Sequence, residues 1–117
     1  MNEREKLVVR YKKELSKYFQ LEGNEELIRE IVIGCGPSVY KKDASIVSSS
    51  DDSEIERLKT NFLVEKLGLS EELDLDSAIS EVLDKYGKTN RRKYRVVVYY
   101  MLVMHFGKEE IYLDNKQ

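Results

Sequence analysis

Residues 90–106 read Asn-Arg-Arg-Lys-Tyr-Arg-Val-Val-Val-Tyr-Tyr-Met-Leu-Val-Met-His-Phe, and they constrain the fold more than any other stretch of the chain. From Val96 to Gly107 there is no Asp, Glu, Lys or Arg. Wound as a helix, such a run presents apolar side chains on every face, and a helix of that kind must be surrounded by other elements. The stretch Val96-Val97-Val98-Tyr99-Tyr100 also favours a strand. A strand is the poorer reading, because the run is longer than an ordinary strand and no partner strand is visible elsewhere. The expectation is a central helix over about 90–106, opened by Asn90 or Thr89 and closed by Gly107.

The rest of the chain supplies helices to surround it. Leu7, Val8, Tyr11, Leu15, Tyr18 and Phe19 recur at helical spacing, which predicts a helix from Glu3 to Phe19. Asn24 is placed to cap a second helix carrying Leu27, Ile28, Ile31 and Val32, with Gly34 as its stop. Pro37 suits the first position of a short helical turn reaching about Lys42. A serine-rich loop follows at about 43–53. Asp51 and Glu54 have the spacing of a capping box for a third helix, whose stripe is Ile55, Leu58, Phe62, Leu63 and Leu67. Gly68 followed by Leu69 reads as its Schellman stop. Asp76 is the expected cap of a fourth helix bearing Ala78, Ile79, Val82, Leu83 and Tyr86, ended by Gly87. In the tail, 108–117, Ile111, Tyr112 and Leu113 are the residues able to pack back on the body.

With 117 residues, 41% apolar and 36% charged, this is one domain with a solvated surface. A net charge of −2 gives no global attraction to nucleic acid or to an anionic membrane, so only a local patch could bind an anion. The lone Cys35 permits no internal disulfide and fits a reducing compartment. The first residues lack the apolar run of a signal peptide, and the longest uncharged run is shorter than the roughly 20 residues that span a bilayer. A cytoplasmic protein without membrane contact is expected.

Ile33-Gly34-Cys35-Gly36-Pro37-Ser38-Val39-Tyr40, Asp43-Ala44-Ser45 with Val47, and Asn61-Phe62-Leu63 with Lys66-Leu67-Gly68-Leu69 form a recognisable set. Asn90-Arg91-Arg92-Lys93-Tyr94-Arg95 leading into Tyr99-Tyr100-Met101-Leu102, then His105-Phe106, completes it. Through these segments the chain, from about Leu7 to Tyr112, resembles a family of short bacterial proteins of unknown function. The resemblance implies a compact, mainly helical, stand-alone domain. It implies no activity, substrate, cofactor or catalytic residue.

Three groups of residues bear chemistry. Lys88, Arg91, Arg92, Lys93 and Arg95 gather at the start of the central helix, where the helix dipole is already positive. Free amides there attract anions, and the cluster would reinforce a site for phosphate or a nucleic-acid backbone. The plainer alternative is pairing with carboxylates, since each misplaced cation costs only about 0.3–1 kcal/mol. Cys35 between two glycines would be a nucleophile if its thiol pKa were lowered and the sole histidine, His105, lay close. His105 shares a stripe with Tyr94, Val98 and Met101, however, and reads more simply as a core or boundary residue. One His and one Cys make no metal site without carboxylates, and Gly34-Cys35-Gly36 lacks the rest of a dinucleotide fingerprint. Neither a cofactor nor a metal is indicated. Val96, Tyr99, Tyr100 and Val103 lie on the far face of the central helix; they are either covered by the other helices or open to a protein partner or a second copy.

The expectation is an all-α domain over 1–117, a bundle of about five helices around the central one. In function it reads as a binding or interaction module without catalysis. An anion- or nucleic-acid-binding protein using residues 88–95 is the alternative, and a cysteine-dependent enzyme is the remaining one.

Overall fold

A computed structural model describes residues 1–113, and they form an all-α bundle. Helix α1 spans Glu3–Phe19, with the Asn2 side chain accepting from the Glu5 amide and Leu7, Val8, Tyr11, Leu15 and Phe19 as its buried stripe. Helix α2 spans Glu25–Cys35, and Asn24 Oδ1 accepts from Leu27 N at its start. Gly34 does not end it. The stop is Gly36, at φ +77°, because Pro37 immediately afterwards has no amide to continue the ladder. Pro37–Tyr40 then makes one 3₁₀ turn.

Helix α3, Asp52–Arg57, runs without a break into a π-helix over Leu58–Lys66. Asp51 caps α3 through Ser53, whose amide and hydroxyl both donate to Asp51 Oδ1. The expected reciprocal arm of the capping box is missing, since Glu54 turns inward and is buried. The wide turn closes with Leu67 N donating to Phe62 O, and Gly68 (φ +71°) stops the helix by letting Leu69 N reach Leu63 O at 3.0 Å, one residue further back than a Schellman bond because the last turn is widened. Helix α4, Leu75–Gly87, is capped by Asp74 through Ser77 rather than by Asp76, which pairs with Lys59 instead. Its inner face is Ala78, Ile79, Val82, Leu83 and Tyr86.

The central helix, α5, is present but begins at Arg95 and ends at Phe106, so Asn90 does not open it. A tertiary pairing takes those residues away. Val47 N donates to Lys93 O and Arg95 N to Ser45 O, each at 2.8 Å, making an isolated antiparallel bridge between Ile46 and Tyr94. This extended crossing holds Tyr94 at ψ 132°, outside the helical region. Val96, Val97, Val98, Leu102 and Val103 are wholly buried, and α1, α2 and α4 all pack on α5. Most of the far face is core: Val96, Tyr100 and Val103 are buried, while Tyr99 is half-buried and stacks on Phe62 with ring centroids 3.7 Å apart. These residues therefore do not form the open patch that one reading allowed. At its C-terminal end α5 emerges, which exposes Met104 and His105, so the histidine is a surface residue rather than the core or boundary one expected. Gly107 closes the helix at φ +64°. The short α6, Glu110–Leu113, folds Tyr112 back onto the body, while tail residues 114–117 lie outside the described residues.

Arg95, the first residue of α5, ties these parts together. Its Nε donates to Ala44 O, and Nη2 donates to Ile46 O and to the Glu54 carboxylate. The Arg95 and Glu54 side chains are 22% and 10% exposed. Burial is the largest single influence and works against the guanidinium charge, but the hydrogen bonds and fields of Glu54 and Tyr99 together outweigh it and the Arg95 pKa moves up. Replacing Glu54 by alanine leaves that charge buried and unpaired, so Glu54→Ala is expected to lose about 3 kcal/mol of stability in urea unfolding. An unchanged midpoint would show the pair to be ornamental.

Candidate anion-binding cleft

The loop 41–51 and the segment 88–93 are brought face to face by the bridge between Ile46 and Tyr94. Between them lies a cleft of about 760 Å³. One wall carries Asp43 and the hydroxyls of Ser48, Ser49 and Ser50; the other carries Lys88, Thr89, Asn90 and Arg91, with Lys93 also lining it. Its charged groups are three cations and one carboxylate. A smaller depression, lined by Ser80 and Asp84 among others, shares Ser49, Ser50, Lys88 and Lys93 with it.

Lys93 is the unusual member. It is 2% exposed, although lysine is among the residues least often buried. Its Nζ donates to the carbonyl of Asn90 and, at 3.5 Å, to Ser49 Oγ. Among the described residues no carboxylate lies within ion-pairing distance of it. Burial lowers its pKa, and the field of Asp84 opposes that only in part. The local chain explains the position. Lys93 directly precedes the bridge residue Tyr94, and its own carbonyl is spent on Val47, so the side chain is held against the serine loop.

The five cations grouped in the sequence do not stay together. Lys88, Arg91 and Lys93 line the cleft. Lys88 sits 4.0 Å from Asp84, a loose and exposed pair. Arg91 is exposed and makes no ion pair among the described residues. Arg92 is exposed and outside the cleft lining, its amide taken by Asn90 Oδ1. Arg95 faces another way, committed to Glu54 and the loop carbonyls. The contribution of Ser48, Ser49 and Ser50 was missed by sequence reasoning. The serine run itself was visible, but nothing local says which basic segment it will face.

Cys35 and His105 are not brought together. Arg95 and Tyr99 at the start of α5 are among the groups that surround the thiol. His105 is ten residues beyond Arg95 and six beyond Tyr99 on the same helix, about 15 Å and about 9 Å along its axis, and it is exposed, lying edge-on to Phe106. Burial pushes the Cys35 thiol up to about 11, with Arg95 pulling the other way. It is therefore protonated at neutral pH. Among the described residues no group of three or more His, Cys, Asp or Glu could hold a metal ion, and no helix is long and apolar enough to cross a membrane.

The chain belongs to a family described as a protein of unknown function (DUF2853), whose model matches residues 10–110. No curated protein matches it. Alkylation of Cys35 by iodoacetamide is expected to be slow at pH 7, with a rate rising through a midpoint near 11. A midpoint below the ordinary thiol value would mean that the residue is activated after all.

Proposed function

We propose that this member of the family is a cytoplasmic binding module with no catalysis of its own, and that it takes a phosphate-type oxyanion carried by a small molecule. The observation that carries the reading is Lys93: a lysine 2% exposed, lining an open cleft, with no carboxylate at ion-pairing distance among the described residues. Keeping such a charge out of water is costly unless a counter-charge arrives. An oxyanion would supply it and would accept charge-assisted hydrogen bonds from Nζ. Arg91 adds a planar fork suited to phosphate, and the hydroxyls of Ser48 to Ser50 add neutral donors. Asp43 on the same wall would orient the ligand by repelling its charged end. The overall charge of −2 disfavours a long polyanion, so a small phosphorylated molecule fits better than a nucleic-acid backbone.

Pyrophosphate is a suitable probe. At low ionic strength it is expected to raise the melting temperature of the wild-type protein, and added salt should erode the gain. Lys93→Met is expected to keep or raise the melting temperature without ligand, because an apolar side chain of similar length replaces a buried unpaired charge. The same variant should lose the response to pyrophosphate. Arg91→Ala, at an exposed position, should weaken binding about tenfold, roughly 1.4 kcal/mol, with the fold intact. A wild-type protein indifferent to pyrophosphate at low salt removes the proposal. Tighter binding to single-stranded RNA than to pyrophosphate would replace the small-molecule reading with the nucleic-acid one.

A further inference from the structure

A second cleft, of about 350 Å³, opens where the C-terminal end of α2, the π-helix and the first turns of α5 meet, with Tyr112 of α6 completing it. It is separate from the serine-walled cleft and rests on no part of the proposal made for that site. Two independent observations mark it. The first is backbone geometry: a π-helix is rare, and its widened turns occur disproportionately at functional sites. Here the widened stretch puts Asn61, Phe62 and Lys66 on the cleft. The second is the balance of charge and surface. Lys66 makes no ion pair among the described residues, and its ammonium stands 5.1 Å from the centre of the Tyr112 ring. Arg95 also lines the cleft, but Glu54 already balances it. No carboxylate is among the lining residues. The site therefore offers one positive charge that meets an aromatic ring but no carboxylate, beside the stacked rings of Phe62 and Tyr99, with Ser38 and Asn61 as exposed neutral hydrogen-bonding groups.

We infer that this cleft binds a small aromatic monocarboxylate, its carboxylate against Lys66 and its ring along the Phe62, Tyr99 and Tyr112 surface. A single free cation matches a single negative charge, whereas a doubly charged phosphate would find too few partners. The aromatic walls favour a flat apolar body through offset or edge contacts. Asn61 and Ser38 supply the polar contacts that fix its orientation.

Benzoate is the probe, and benzamide, which has nearly the same shape and no charge, is its control. Titrated into ¹⁵N-labelled full-length protein, benzoate is expected to shift the Gly34, Asn61 and Lys66 amides saturably, with a Kd on the order of 1 mM. Benzamide should bind at least tenfold more weakly. Lys66→Met, an exposed substitution, should bring benzoate down to the benzamide level, and Asn61→Ala should weaken both ligands. Lys93→Met should leave the benzoate titration unchanged, which separates this site from the first. The inference is overturned if benzoate moves none of these amides, or if benzamide moves them equally well.

Discussion

The Arg95 clasp is the interaction on which the arrangement of this domain depends. A cation at the first position of a helix stands against the helix dipole, and here it stands in a nearly buried setting as well. The conflict is resolved by making the guanidinium a structural hub: two loop carbonyls and the Glu54 carboxylate surround it. Since Ala44 and Ile46 belong to the loop, Glu54 to α3 and Arg95 to α5, one side chain fixes three parts of the chain relative to one another. The backbone bonds between 45–47 and 93–95 reinforce the same junction.

Both clefts follow from that junction. The extended crossing at Tyr94 delays the central helix by five residues, and the residues so released form the basic wall opposite the serines. On the other side, Arg95 and Tyr99 are presented to the end of α2 and to the π-helix. Lys93 and Arg95, two residues apart, consequently leave the junction in different directions. One is neutralised within the fold. The other lies beside a cleft without an ion-pair partner among the described residues, and that difference makes the first site a candidate for binding and the Arg95–Glu54 pair a candidate for stability.

Much of the helical plan was legible because it is written locally. Apolar stripes at helical spacing, Asn24 as a cap and Gly68 and Gly107 as stops all depend on neighbours within a few residues, and each element appears where those signals put it. Where the local reading failed, a longer-range partner had intervened. Asn90 could cap a helix by its chemistry, but Ser45 and Val47 claim the backbone at 93–95. Glu54 could complete a capping box, but Arg95 offers it a buried cation. The π-helix had no expectation at all, since Leu58, Phe62, Leu63 and Leu67 also satisfy an ordinary helical stripe; packing chooses the wider turn.

The basic cluster shows the same division at the level of the site. The order of residues alone determined that five cations would fall within eight positions just ahead of an apolar helix that must be buried, because composition and periodicity are properties of the chain itself. Which of those cations faces a cleft, which is buried without a counter-charge and which is consumed in holding the bundle were decided only by the tertiary structure. Charge pairing acts through space over a few ångströms, and the partners that settled it, Ser49 and Glu54, lie about forty residues away along the chain.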